Sequence, residues 1–380
     1  MRGLTKLLIF LCLVGFIWYK YGEDLADSNY QAAYEDVQSD IRSVINHPNV
    51  SASLDTLQDG LNHLIDELNQ MVERIPSEDN QQTQDQVEQP DLKTPDKQSL
   101  SVYNIELGDS KKDVEKQAGT AKRSSYNEYG VKWYAYHKNY HNFFMAAYDE
   151  NEKVVGLYTN QDLISAKQGI KLGSAKDTVL KQFGEPITKI RKGFVFYQLQ
   201  NNDEYHLFQL DDSYVTIFYD KHEGNTVTAV QIISEEVEEQ KKDFYVEANP
   251  QLKEGFEFQL FDLTNAARVE HDLPALSWDN TVKETARDHS SDMAVNNYFD
   301  HTNLKGQSPF DRMKEDNIRF RVAGENLAAG QLSSIFAHEG LMNSLGHREN
   351  ILHTDFESLG VGVAFNSEYK PYYTENFLTK

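Results

Sequence analysis

Apolar and polar residues alternate through the middle of the chain, which is the pattern of half-buried β-strands. The alternation predicts strands over 133–137, 143–148, 154–158, 194–198, 205–210, 214–219 and 227–233. The same stretch repeats itself, because a Leu-Gly pair opens a short helical pattern at 107–119 and again at 172–184. We therefore expect two tandem α+β units, a duplicated α+β domain over 100–234.

Helical periodicity replaces the alternation from residue 251 onward. The predicted first helix has one apolar face, formed by Phe256, Leu260, Leu263 and Ala267. A second helix follows Trp278-Asp279, and a third begins at Ser333 or Ser334 and carries Glu339. Strands are predicted over 318–322, 325–328, 359–365 and 372–377. Helices alternating with antiparallel strands favour an α+β fold, a three-layer α-β-α sandwich, for 251–380.

The first 22 residues have the pattern of a membrane anchor. Basic Arg2 and Lys6 precede an apolar run from 7 to 19, and acidic residues follow it. Basic residues before such a run favour a cytoplasmic N-terminus. We expect a signal anchor over 1–22, a single-pass transmembrane helix that leaves the other domains outside the cell. The run is short for a span, so cleavage as a signal peptide and secretion is the alternative.

Residues 23–98 are predicted to form an acidic stalk. Apolar residues at spacings of three and four predict an amphipathic helix over 53–75. That helix is either a stalk or self-association helix near the membrane, or a helix packed on the next domain. From 76 to 98 the chain is mostly Gln, Asp, Glu and Pro, which cannot bury enough surface to fold. A disordered linker is expected there.

Charge and cysteine content narrow the functional classes. The 380 residues carry a formal net charge of -23, which argues against nucleic acid as a partner because phosphates would be repelled. Cys12 is the single cysteine and lies in the apolar run, so no intramolecular disulfide can form. Stability must come from packing or from a metal.

Four residues in the last third suggest a site. His301, Glu325, Glu339 and His347 are two imidazoles and two carboxylates, a ligand set suited to a divalent metal, above all zinc. The alternative is a buried hydrogen-bonded network that braces the fold. Motifs of serine hydrolases, of zinc proteases with His-Glu-x-x-His and of nucleotide-binding loops do not occur.

The motifs around these four residues are shared with a known family. They are Asn265-Ala266-Ala267-Arg268, Leu276-Ser277-Trp278-Asp279, Ser308-Pro309-Phe310-Asp311-Arg312, Ala323-Gly324-Glu325-Asn326 and Gly346-His347-Arg348-Glu349-Asn350. Together they resemble the bacterial branch of the CAP superfamily, named for cysteine-rich secretory proteins, antigen 5 and pathogenesis-related proteins. The repeat over 100–234 resembles the CAP-associated N-terminal domain found in bacilli. The family pattern usually has tryptophan where Leu341 stands and glutamine where Glu375 stands.

The resemblance implies a cleft lined by His301, Glu325, Glu339 and His347. We expect the histidines to bind the metal directly. The glutamates would hold a metal-bound water or hydrogen-bond the histidine rings. The first hypothesis is an extracytoplasmic module that binds a small, lipid-like, peptide or peptidoglycan-type ligand, with or without the metal. The alternative is a metal-assisted hydrolase of peptide, phosphodiester or wall substrates with Glu325 or Glu339 as base. The repeat domain could hold a protein partner beside the membrane.

Overall fold

The computed structural model describes residues 87–192, 195–198 and 203–380. The predicted anchor over 1–22 and the predicted helix over 53–75 lie outside the described residues. Within the described ranges, no helix combines the length and the apolar character needed to cross a membrane.

The first described domain is built on antiparallel strands. Its strands are β1 (Leu100–Val102), β2 (Arg123–Tyr126), β3 (Lys132–Lys138), β4 (His141–Tyr148), β5 (Val154–Thr159), β6 (Ile164–Ala166), β7 (Lys189–Lys192), β8 (Val195–Gln198), β9 (Tyr205–Leu210), β10 (Ser213–Asp220) and β11 (Thr226–Ser234). Its helices are α1 (Lys111–Ala118), α2 (Lys176–Phe183) and α3 (Glu235–Gln240). Seven strands form one sheet in the order β2-β3-β4-β5-β11-β10-β9, while β1 pairs with β6 and β7 with β8.

The two predicted repeat units contribute to that single sheet. The Leu-Gly turn of each unit docks on a strand in the same way: the Gly108 amide donates to the Val154 carbonyl, and the Gly173 amide donates to the Val227 carbonyl, both at 2.8 Å. Both glycines have positive φ, 85° and 76°, which favours glycine there. The units meet where β5 pairs with β11. They therefore share one sheet and do not form two separate bodies.

The described end of the predicted linker is bound to this domain. The Glu106 carboxylate accepts hydrogen bonds from the amides of Asp96, Lys97 and Gln98. The Lys93 amide donates to Asn104 at 2.7 Å. For residues 87–98 this corrects the prediction of a disordered linker, because side-chain acceptors on the domain satisfy a backbone that has little apolar surface of its own.

The second domain has five helices among the described residues. They are α4 (Pro250–Glu270), α5 (Asn280–Asn296), α6 (Pro309–Glu315), α7 (Ser334–Met342) and α8 (Leu345–Ile351). Its strands are β12 (Ser277–Trp278), β13 (Val322–Ala329), β14 (Ser358–Phe365) and β15 (Pro371–Thr379), in the sheet order β12-β14-β15-β13.

Strand β14 shows how the layers are built. Its residues Val361 and Val363 join Leu260 of α4 in one buried apolar cluster. On the opposite side of the strand, a Cβ on Gly362 would lie 2.1 Å from the Arg287 amide nitrogen of α5. Glycine is needed there because the helix backbone lies against the sheet. Helices therefore cover both faces, which confirms the predicted three-layer α-β-α arrangement.

The predicted strand over 318–322 is wrong, because only Val322 belongs to a strand, β13. Ile318 is buried in a loop against Met313 and Val282, so its apolar character reflects packing beneath the sheet. Helix α6 was not predicted, although Ser308 and Asp311 form a reciprocal capping box at its start.

The two domains pack on each other through α4. Leu263 and Ala266 of this helix share a buried cluster with Trp133, Phe143 and Tyr158 of the seven-stranded sheet. At Gly255 the approach is so close that a Cβ would lie 2.0 Å from a backbone oxygen of β2. The interface thus resembles a hydrophobic core, and α4 lies between the two sheets.

Candidate functional site

The candidate cleft is organised around Glu325 of β13. Its Oε1 lies 2.9 Å from His301 Nδ1, and its Oε2 accepts a hydrogen bond from Arg312 Nη2 at 2.6 Å. The glutamate side chain is 1% exposed, whereas that of His301 is 51% exposed. Because a carboxylate only accepts, Nδ1 of the imidazole carries the proton, and Nε2 remains available at the surface.

Arg312 of α6 holds the loop that carries His301. Its Nη1 donates to the carbonyl oxygens of His301 and Gln307, at 2.7 and 3.1 Å. This positioning residue was missed in the sequence, although it ends the quoted motif Ser308-Pro309-Phe310-Asp311-Arg312. The available signal was a capped helix beginning at Ser308-Pro309, which places the arginine on the first turns of a rigid element.

His347 lies near His301 and is held by a neighbour in sequence. Its Nδ1 is 2.8 Å from the Ser344 hydroxyl. Burial lowers the pKa of His347, and the nearby His301 lowers it further. The imidazole is therefore neutral at pH 7. Among the described residues, Nε2 of neither His301 nor His347 has a hydrogen-bond partner.

Large apolar side chains are exposed in the segments next to both histidines. Phe299 and Leu304 are 53% and 66% exposed on either side of His301, and Leu345 is 60% exposed two residues before His347. Phe310 is also exposed. These four exposed side chains, which are close in sequence to the two imidazoles, are named the apolar rim.

Glu339 does not join this group. It lies on α7, is 4% exposed, and its Oε1 accepts a hydrogen bond from the Tyr158 hydroxyl of the first domain at 2.6 Å. Burial raises its pKa to about 7, partly offset by that hydrogen bond. Among the described residues, no group of three or more His, Cys, Asp or Glu side chains is arranged to hold a metal ion. The expectation that all four residues converge is therefore corrected for Glu339.

A second buried network lies behind Glu325. The next residue of β13, Asn326, donates from Nδ2 to the His347 carbonyl and to Glu375 Oε2, both at 3.1 Å. Glu375 Oε1 accepts from the Thr264 hydroxyl at 2.6 Å. Glu375 is fully buried, and burial raises its pKa to about 7. Asn326 therefore satisfies the backbone carbonyl of His347 and holds one oxygen of Glu375.

The remaining predicted residues have structural partners. His289 is buried, its Nε2 lies 3.0 Å from the Asp300 carbonyl, and burial lowers its pKa. Arg348 donates to the Met342 carbonyl at 3.4 Å and pairs with Asp220 of the first domain at 2.7 Å. Leu341, at the position where tryptophan is usual, is buried in the core of the second domain.

The chain is similar to known proteins in both domains. The family model described as CAP-associated N-terminal matches residues 107–244, and that of the cysteine-rich secretory protein family matches residues 261–377. A membrane protein of Bacillus subtilis, YlbC, is 29% identical over 293 residues, covering 72% of this chain and 82% of that protein. YkwD of the same organism is 40% identical over 131 residues, covering 34% of this chain and 50% of that protein.

Two solved structures resemble the described fold. An extracellular SCP-domain protein of Bacillus anthracis matches with a TM-score of 0.63 and 27% identity, covering 77% of this chain and all of that one. A cysteine-rich secretory protein of Staphylococcus aureus has a TM-score of 0.56 and 17% identity, covering 72% of this chain and 91% of that one, and shows the fold alone.

Fold and site together define a two-domain protein with a His/Glu cleft in its α-β-α sandwich. The chain carries a CAP-associated N-terminal domain over 107–244 and, after it, a CAP domain of the cysteine-rich secretory protein family over 261–377.

Proposed function

We propose that this protein acts outside the cytoplasm, attached to the membrane by residues 1–22, and binds a small ligand in the CAP cleft around His301 and His347. One relative is named as a membrane protein and one solved relative as extracellular. The charge pattern at Arg2 and Lys6 supports the same orientation. Secretion after cleavage is the alternative.

The proposed binding function rests on one observation, the hydrogen-bonded series of side chains His301–Glu325–Arg312. It fixes one imidazole at the surface, and a second neutral imidazole lies nearby within an apolar rim. Such a surface can hydrogen-bond a polar head while the rim takes an apolar portion. Among the lipid-like, peptide and peptidoglycan-type ligands expected from the sequence, the rim favours the lipid-like class.

The binding test uses the purified full chain and the fluorescent fatty acid cis-parinaric acid. We expect saturable binding that weakens about tenfold in both His347→Ala and Leu345→Ser, because one removes a hydrogen-bonding group and the other apolar surface. His141→Ala, which alters a histidine of the first domain, is the matched control. Equal binding by the cleft variants and the control would contradict the proposal.

The orientation test labels intact cells with a membrane-impermeant amine reagent. An outside location predicts labelling of lysines in the described domains, such as the exposed Lys305, before cell lysis. Protection of these lysines until lysis would place the domains in the cytoplasm instead.

The residues present fit the expected zinc site in part, since Glu325 orients the His301 ring as a carboxylate beside a metal-binding histidine does, whereas Glu339 lies in the domain interface. Both oxygens of Glu325 are engaged, by His301 and by Arg312, and Glu339 is engaged by Tyr158. An ion shared by His301 and His347 would have two protein ligands, fewer than the three of typical catalytic zinc sites. The metal-assisted hydrolase therefore stays a prediction. Its test is calorimetric titration of the full chain with zinc, wild type against His301→Ala.

A further inference from the structure

A cavity of about 550 Å³ lies between the seven-stranded sheet and the CAP domain. One wall comes from β9, β10 and β11, and another comes from α7 and the turn after β13. Neither His301 nor His347 lines it, so it is separate from the CAP cleft. Its size falls within the range of about 300–1,000 Å³ that small-molecule sites occupy. The cavity exists only because the two domains pack together.

Three of the aromatic rings that line the cavity contact one another across the two domains. Phe336 of α7 packs edge-on against Tyr205 and Phe218 of the sheet, with ring centroids 5.1 and 5.2 Å apart. Aromatic surface of this kind favours contact with an apolar or planar group of a ligand. Because each domain contributes rings, a ligand bound here would contact both domains.

Two amide side chains of the wall have unused hydrogen-bonding capacity. Gln231 of β11 is 2% exposed, and its Nε2 has no hydrogen-bond partner among the described residues. Gln331, in the turn after β13, has a buried Oε1 that is likewise without a partner in the described part of the chain. Buried polar groups are seldom left in this state. The pair offers one donor and one acceptor, which complement the carbonyl and amide of a peptide group.

Two of the charged groups that line the cavity are engaged within the protein. Lys192 forms an ion pair with Glu238 at 2.6 Å and also donates to the carbonyl oxygens of Glu238 and Lys241. Glu339 accepts a hydrogen bond from Tyr158. Beside Lys192 and Glu339, a charged group of a ligand would have to displace these partners, so this part of the wall favours an uncharged group.

We propose that this interdomain cavity is a second ligand site, which takes a short uncharged peptide segment. Gln231 and Gln331 bind its backbone amide, and the ring cluster of Tyr205, Phe218 and Phe336 takes an apolar side chain. The proposal does not depend on the CAP cleft or on its ligand.

The test is calorimetric titration of the purified full chain with the blocked dipeptide acetyl-Phe-Leu-amide. We expect saturable binding that weakens about tenfold in Gln231→Leu, because one amide donor is lost. Gln209→Leu is the matched control, since Gln209 lies on β9 of the same sheet, is exposed, and bonds Glu235 outside the cavity. His347→Ala should bind the dipeptide as tightly as wild type, which separates this site from the cleft.

A second variant tests the cavity by filling it. A Cβ on Gly340 would have Gln331 Nε2 as its nearest neighbour at 4.0 Å, and Gly340 lines the cavity, so Gly340→Leu adds apolar volume at the cavity wall. We expect it to abolish dipeptide binding while the melting temperature stays within a few degrees of wild type. No binding by wild type, or equal binding by wild type, Gln231→Leu and Gly340→Leu, would overturn the proposal. Binding of the disaccharide chitobiose in place of the dipeptide would overturn the peptide class.

Discussion

The Tyr158 hydroxyl donates a 2.6 Å hydrogen bond to Glu339 Oε1, and this bond joins the CAP-associated sheet to the CAP domain. Both side chains are buried, and burial raises the pKa of the carboxyl to about 7. The residue expected in a metal site thus belongs to the domain interface. Ionisation of the Glu339 carboxyl is unfavourable at this buried position.

The pH dependence of stability should change in Glu339→Gln. A carboxyl whose folded pKa lies above its unfolded value stabilises the fold when protonated, and that contribution is lost as pH rises from about 4.5 to about 7. The shift from 4.5 to about 7 corresponds to about 3 kcal/mol. Glutamine keeps an acceptor for Tyr158 without the charge. Urea unfolding should therefore show the variant more stable than wild type at pH 8 and equal to it near pH 4.5; a constant difference across this range would contradict the argument.

Replacing Glu375 by glutamine should also stabilise the fold at high pH. Glu375 is fully buried between Thr264 and Asn326, and its pKa of about 7 means that folding at pH 8 buries a charge with no ionic partner among the described residues. Glu375→Gln should raise the melting temperature at pH 8 by several degrees and have little effect at pH 5. Glu368→Gln, at an exposed position in the turn before the same strand, provides the comparison and should change neither value.

Loss of Arg312 should destabilise the cleft strongly. Its guanidinium pairs with Glu325 at 2.6 Å, and the two side chains are 8% and 1% exposed. Removing one partner of a buried ion pair typically costs about 3–5 kcal/mol, because the other charge remains buried. We expect Arg312→Met to lose stability in this range in urea unfolding, and Arg312→Met with Glu325→Gln to regain part of it. Arg319→Met, at an exposed position, should be neutral; a similar loss there would mean that the effect is not due to the pair.

The close approach of α5 to β14 should make Gly362 intolerant of any side chain. A Cβ there would lie 2.1 and 2.2 Å from backbone atoms of the helix. Gly362→Ala must separate helix and strand, at a cost of about 1–3 kcal/mol or more. Gly346→Ala, within α8 and without neighbours within 4 Å, should instead stabilise by about 0.5–1 kcal/mol. Thermal unfolding of the two variants should give opposite signs.

Local patterns predicted much of the fold. The predicted strands over 205–210 and 359–365 match β9 and β14 within one residue at each end, because their apolar alternation follows the buried faces. The prediction over 318–322 failed because Ile318 is buried without a ladder partner. An apolar pattern indicates that residues are buried, so a buried loop can be mistaken for a strand.

The candidate site was less predictable, because one predicted site residue, Glu339, has a partner that is far away in the sequence. Motifs brought out His301, Glu325 and His347, which the family shares within the CAP domain. The environment of Glu339 depends on Tyr158, 181 residues earlier and in another domain. No pattern within the CAP sequence indicates that partner. Arg312 lay within a recognised motif, but its contact with Glu325 appears only when α6 packs on β13.

Helix α4 places Leu260 in the core of the CAP domain and Leu263 in the cluster beneath the other sheet. A helix common to two hydrophobic interiors cannot leave one of them and stay in the other. Unfolding of either domain therefore exposes buried surface of the other. Scanning calorimetry of the chain should show both domains unfolding in a single endotherm. We therefore expect the CAP-associated domain and the CAP domain to behave, thermodynamically, as one folding unit.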